Sequence, residues 1–158
     1  MSSAEISIRE FLPGDEAAFR DLNLEWIGRY FAVEPKDAAT LSDPQHKILD
    51  PGGRIFLAFR GSEAVGCCAL LVLAPGEFEV GKMAVTEAAQ GLGIGRLVLA
   101  ATIAAARAAR ATRLYLETNR ILTPAIRLYE SAGFQHVPPE RVVPSPYARA
   151  DVFMELAL

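Results

Sequence analysis

Cysteine is nearly missing from this sequence, with Cys67 and Cys68 its only two. Neighbours on a strand point to opposite faces, so the pair cannot close a disulfide and reads as reduced core residues. With 158 residues and 51% apolar composition, the chain is long enough to bury a core without staples. A dominant sign of charge is also missing. Lys and Arg number 16 against 19 Asp and Glu, for a formal net charge of −3, and they are scattered. No nucleic-acid groove and no polybasic membrane anchor is expected from that distribution. Apolar runs are short, none reaching about 18 residues without a charge or a break. MSSAEISIREF lacks the basic-then-apolar layout of a leader, so the cytoplasm is the expected location. No repeat or linker divides the chain, and residues 1–158 read as one domain.

What is present is a succession of strand and helix patterns. Ile6 and Ile8 alternate as a first strand running toward Glu10 and Phe11. Asp15, after Pro13-Gly14, is placed to cap a helix carrying Phe19 and Leu22. Trp26, Ile27, Tyr30 and Phe31 give a second helical patch, which Pro35 and the polar run to Pro51-Gly52-Gly53 dissolve. Arg54 to Phe59 and Ala64 to Leu73 are strands joined by the turn Arg60-Gly61-Ser62-Glu63. The second is almost wholly apolar and should lie centrally in its sheet. Along the strand from Glu77 to Val85, alternation puts Glu77, Glu79, Gly81, Met83 and Val85 on one face and Phe78, Val80, Lys82 and Ala84 on the other. Gly81 marks a bulge or a close backbone approach.

The stretch GKMAVTEAAQGLGIGRLVLAA organises the chain. Gln90, Gly93 and Gly95 form Q-x-x-G-x-G with a third glycine at Gly91, and a helix follows. Glycines there let backbone N–H groups close around a phosphate, and the helix dipole adds positive potential. A Walker loop is excluded, because no Lys-Ser or Lys-Thr follows. A dinucleotide fingerprint fits poorly: Arg96 takes its third glycine position, although Glu117 imitates its ribose-binding acid. The helix is Ala-rich and should turn Leu97, Ala101, Ala104 and Ala108 to the sheet. Arg96, in its first turn, opposes the dipole, which favours contact with a phosphate. Leu114, Leu116 and Thr118 make the next strand. Thr123 caps a short helix with Pro124 in its first position, and Gly133 ends it with Phe134 packing back. The last strands, Phe134 to Val137 and Asp151 to Leu156, flank a segment with Pro138, Pro139, Pro144 and Pro146.

KMAVTEAAQGLGIGRLVL resembles the central motif of the GCN5-related N-acetyltransferases (GNAT), and ETNRILTPAIRLYESAGF resembles their second, L-Y-x-x-x-G-F-ending motif. The blocks cover roughly residues 77 to 136, and SPYARADVFMELAL resembles the closing strand of bacterial members. The resemblance implies a mixed α/β (α+β) single-domain fold: a mostly antiparallel twisted sheet of six to seven strands with a splayed central parallel pair, flanked by about four helices. It also implies direct acetyl transfer from acetyl-coenzyme A to a primary amine, small-molecule or peptide, with no metal. A non-catalytic acetyl-coenzyme A sensor and an enzyme for another acyl donor are the alternatives. A homodimer is compatible with the sequence.

By the same resemblance, the coenzyme contacts fall on Met83, Ala84 and Val85, on the turn Gln90, Gly91, Leu92, Gly93, Ile94, Gly95 and Arg96, and on Asn119 and Tyr129. The chain departs from the family in having Leu122 where many members have Asn, its own Asn being at 119. Asn119 also suits a plain turn role. Glu79 lies eleven residues before Gln90, the spacing of the glutamate base in the histone-acetylating branch, with Glu77 as fallback. Tyr129 matches the tyrosine commonly assigned as general acid. The first helices wall the acceptor site in that family, so Trp26 and Tyr30 are candidate acceptor contacts. Cys67 and Cys68 have no paired His nearby, which disfavours a cysteine nucleophile.

Overall fold

The computed structural model describes residues 5–158. Seven strands form one sheet: β1 (Ile6–Glu10), β2 (Arg54–Arg60), β3 (Glu63–Ala74), β4 (Glu77–Val85), β5 (Arg113–Thr118), β6 (Gln135–His136) and β7 (Val152–Ala157), in the order β1-β2-β3-β4-β5-β7-β6. Four α-helices flank it: α1 (Glu16–Tyr30), α2 (Pro35–Ser42), α3 (Ile94–Ala108) and α4 (Thr123–Ser131). All neighbouring strands are antiparallel except β4 and β5. That parallel pair has three register positions, Glu77 with Arg113, Phe78 with Leu114 and Glu79 with Tyr115. Past Glu79 the strands part, leaving that edge of β4 without a strand partner among the described residues.

The core has two main layers. Val98, Leu99, Ile103 and Ala106 of α3 and Tyr129 of α4 pack with Leu70, Val80, Leu114, Leu116 and Met154 on one sheet face. Phe19, Leu22 and Ile27 of α1, with Leu41 and Ile48, pack with Ile55, Leu57, Cys67 and Ala69 on the other. Cys67 and Cys68 thus face opposite layers, both fully buried and unbridged. β3 lies third in the sheet, and its run Val65–Leu70 is buried on both faces, as its continuous apolar character requires. Gly133 has φ +105°, and the N–H groups of Gly133 and Phe134 donate to the Glu130 and Tyr129 carbonyls, the double bond pattern that ends a helix on a left-handed residue. The rings of Phe134 and Tyr129 meet edge to face at 6.1 Å.

Several local expectations need correction. The two helical patches before residue 31 are one helix, α1, and the stretch after Pro35 is not irregular but holds α2. Pro35 occupies an initial position of α2, and Glu34 and Asp37 cap it reciprocally. Asp15 does not cap α1 through its side chain: Arg9 donates to its carboxylate at 2.7 and 3.1 Å, as does the Leu12 N–H at 2.7 Å. On α3 the buried stripe is Ile94, Val98, Leu99, Thr102, Ile103, Ala105 and Ala106, whereas Leu97 is 45% exposed. The helix is apolar nearly all round, so the pattern did not single out a face, and buried Thr102 satisfies its hydroxyl on the Val98 carbonyl at 2.8 Å. In α4, Thr123 is inside the helix and Leu122 holds the capping position without a side-chain bond.

The β4 alternation also fails. Its register with β3 shifts between the pairs Ala69–Gly81 and Cys67–Ala84, and Lys82 has φ +49°. Two β4 residues sit opposite one on β3, which marks a bulge. Beyond it the faces exchange. Met83 joins the α3 layer and Ala84 the α1 layer, while Lys82 turns to the face of Glu79 and Gly81.

Candidate active site

The parting of β4 from β5 opens a cavity of about 570 Å³. At one end lies the turn before α3. Gly91 and Gly93 have φ +85° and +77°, a left-handed backbone that favours glycine. The Leu97 N–H donates to the Gly93 carbonyl, so the N–H groups of Ile94, Gly95 and Arg96 belong to the first turn, which has no carbonyl of its own to bond. A Cβ on Gly91 or Gly93 would meet nothing within 4 Å, whereas one on Gly95 would lie 3.3 Å from Leu128 Cδ2. The turn is therefore an open cradle of N–H groups with positive helix-end potential, which fits a pyrophosphate. Arg96 is exposed at its rim and lines the cavity, and the Gln90 side chain donates to the Val85 carbonyl at 3.4 Å.

Met83, Ala84 and Val85, on the unpartnered stretch of β4, line the middle of the cavity. Backbone groups on such an edge can receive an extended amide-bearing arm as a further strand would. Tyr129 reaches the same space from α4. It is only 8% exposed, and burial first, then Cys68 nearby, pushes its phenol above its ordinary value. The hydroxyl therefore stays protonated at neutral pH. No protein partner holds it among the described residues, and no buried side-chain polar atom is left unsatisfied. Asn119 also lines the cavity, but it is well occupied: its amide donates to the Arg149 carbonyl at 2.7 Å, and its carbonyl accepts the Ile121 N–H at 2.9 Å. Of the expected coenzyme contacts, only Leu92 is outside the lining, and it is 47% exposed.

At the far end stands Glu79. Burial raises its carboxyl from 4.5 to about 7, Glu117 adds repulsion, and Lys36 and Lys82 oppose the shift. A carboxyl of this kind exchanges a proton at neutral pH. Glu77, the fallback, is held by Arg113 at 3.1 Å and does not line the cavity. Around Glu79 gather residues that sequence reasoning left aside. Glu117 accepts the Tyr115 hydroxyl at 2.9 Å and the Ser145 hydroxyl at 2.6 Å. Arg149 binds Asp37 with two bonds of 2.6 and 2.7 Å. Lys82 donates to Asp37 at 2.8 Å and to the Tyr147 hydroxyl at 3.2 Å. Trp26, Tyr30 and Phe31 complete this wall. The segment between β6 and β7 is thus a strap over the cavity, anchored by Ser145, Tyr147 and Arg149. Among the described residues no group of His, Cys, Asp and Glu is arranged to hold a metal ion, and no helix is long and apolar enough to cross a membrane.

The family model for the acetyltransferase (GNAT) family matches residues 17–134, which include β4, the glycine turn, α3 and α4. The chain belongs to the GNAT family. A mycothiol acetyltransferase of Thermomonospora curvata is 37% identical over 150 residues, covering 89% of this chain and 48% of that protein. The chain thus spans about half the length of the curated relatives it matches first. A GNAT acetyltransferase of Staphylococcus aureus superposes with a TM-score of 0.86 over 97% of this chain and 99% of that one, at 21% identity. A Salmonella typhimurium acetyltransferase structure containing its cofactor acetyl-CoA superposes with a TM-score of 0.76 over 96% and 93%, at 20% identity. These likenesses establish the fold: a GNAT sheet whose parallel pair opens beside a glycine turn.

Proposed function

We propose that this chain transfers the acetyl group of acetyl-coenzyme A to a primary amine of a small molecule. The observation that carries the reading is the single cavity that joins the N–H cradle of Gly91 to Arg96, the open β4 edge and the neutral-range carboxyl of Glu79. Acetyl-coenzyme A, when bound, supplies an activated acyl group and a thiolate leaving group. The chain's own residues do the rest. The glycine turn holds the pyrophosphate, and Met83 to Val85 align the pantetheine arm through backbone bonds. Glu79 takes the proton that the acceptor ammonium must lose before its nitrogen can attack, either directly or through water. Tyr129, kept protonated by burial, donates to sulfur as it leaves. Aromatic residues of α1 and the strap exclude water from that end of the cavity. The name of the T. curvata relative, which refers to mycothiol, supports a small-molecule acceptor.

The test is release of free coenzyme thiol across a panel of amine classes, combined with calorimetry of acetyl-coenzyme A. Steady release with at least one amine class is the expected result. Tight coenzyme binding with no release from any class would reduce the chain to a binding module, and absence of coenzyme binding would overturn the reading altogether.

A further inference from the structure

Asp37 has no part in the chemistry above, yet it is 0% exposed and fully engaged. Besides the two bonds from Arg149 and the one from Lys82, its carboxylate accepts the Glu34 N–H at 3.0 Å. Burial alone would raise this acid, but the bonds from Arg149 and Lys82 outweigh it and hold Asp37 well below the usual carboxylate range. Lys82 reaches Asp37 only because of the bulge. A regular strand would aim it at the α3 layer, whereas its φ of +49° brings it to the face of Glu79, three residues away.

An ammonium there, with only 8% of its side chain exposed, would be expected to pair with a free carboxyl on the same face. Glu79 is such a carboxyl, with no hydrogen-bond donor of its own among the described residues. The other charged groups facing Glu79 are occupied or exposed to solvent, Lys36 among them, whose charge also lowers the Glu79 carboxyl. On β5, Glu117 is held by Tyr115 of the same strand and by Ser145 of the strap. From the strap, Tyr147 takes Lys82 and Arg149 takes Asp37 and Glu34. From α2, Lys36 is exposed, its ammonium 5.5 Å from the centre of the Tyr147 ring. Of the two shielded cations on that face, Arg149 is held by two bonds to Asp37 and one to Glu34, so Lys82, on the same strand as Glu79, is the one whose direction decides whether Glu79 is paired.

We propose that Asp37 is a positioning residue that holds the Lys82 ammonium away from Glu79, leaving that carboxyl unpaired and able to accept the acceptor's proton. This rests on the reading of Glu79 as the base. The mechanism is a competition between two acids for one buried cation. Asp37 wins it because it is already oriented by Arg149 and by its capping bond to the Glu34 N–H.

The test titrates the side-chain carboxyl of Glu79 by carbon-13 NMR in glutamate-labelled protein without coenzyme, its resonance identified by loss in Glu79→Gln. The midpoint in the unaltered protein is expected near neutrality, as burial dictates. Asp37→Asn frees Lys82 and should lower the midpoint by about 1 to 3 pH units, the usual effect of an adjacent opposite charge. Lys82→Met leaves Asp37 paired with Arg149 and should raise the midpoint. In the Lys82→Met background, Asp37→Asn should no longer lower it, an outcome that general loosening of α2 would not produce. An unchanged midpoint in Asp37→Asn, or a fall that persists without Lys82, overturns the proposal. Should Asp37→Asn not fold, Lys82→Met alone decides, and a midpoint that fails to rise overturns it. The base assignment itself depends on the pH–rate profile of Glu79→Gln, so the two ideas fail separately.

Discussion

Glu79 ties the site to the stability of the whole molecule, and Glu79→Gln measures the tie. In the unfolded chain this carboxyl titrates near its ordinary 4.5, and in the native state burial raises it to about 7. Between those values the native protein binds the proton more tightly than the unfolded one. The stability due to the protonated carboxyl is therefore complete below about pH 4.5 and is lost as pH rises through 7. At about 1.4 kcal/mol per pH unit, the loss amounts to about 3 kcal/mol, a sizeable part of the total for a domain of this size. Gln has the shape of the protonated acid and no charge to ionise. The assay is urea unfolding of both proteins from pH 4.5 to 8. The stability of Glu79→Gln relative to the parent should rise by about 3 kcal/mol across that range, contributions from other titrating groups cancelling in the difference. A flat difference would mean that Glu79 ionises in the native protein as easily as in the unfolded chain, and the argument for a neutral-range base would fall with it.

Gly95→Val should weaken acetyl-coenzyme A binding about ten- to a hundredfold by calorimetry while the fold persists, since loss of one or more charge-assisted backbone bonds amounts to about 1.5 to 3 kcal/mol. Its nearest obstacle is the flexible Leu128 side chain at 3.3 Å, whereas Gly93→Val would also strain a left-handed backbone. Tyr129→Phe should lower kcat about ten- to a thousandfold with little change in coenzyme affinity. Unchanged kcat, where the absence of a pre-steady-state burst shows that no step after chemistry limits the rate, would leave Tyr129 a packing residue. Gly133→Ala should destabilise the fold by about 1 kcal/mol in urea unfolding, because its φ of +105° ends α4 and an added Cβ would lie 3.3 Å from Leu156 Cδ1.

The strands and the glycine turn were legible because their signals are local. β3 reads as buried because its residues are apolar one after another, and Gly91 and Gly93 sit where the backbone is left-handed. α2 was not legible in the same way. Its apolar contribution is little more than Leu41, and polar bonds hold it in place, although Pro35 with Glu34 and Asp37 spells a helix start. The face of α3 was ambiguous for the opposite reason, too many small apolar residues. Gly81 did signal a bulge, but its exact place at Lys82 and the exchange of faces were not read, because a shift by one residue reverses every later side chain.

Most of the Glu79 end of the cavity could not be read from any window of sequence. Arg149 meets Asp37 across 112 residues of chain, and Ser145 meets Glu117 across 28. Each is unremarkable where it stands: an Asp in a polar run, an Arg near a chain end, a Lys in a strand. Their meaning comes from the fold, which brings α2, β4 and the strap to one wall. That wall also runs against local preference. Lys82 holds a left-handed backbone that a non-glycine residue adopts at a cost of about 1 to 2 kcal/mol, and Glu79 is half-buried with no hydrogen-bond donor among the described residues. Strain and desolvation concentrated on neighbouring residues are hard to explain by packing, since apolar side chains would remove the desolvation and a glycine at position 82 the strain. They are explained if the site needs one free carboxyl and one captive ammonium on the same strand.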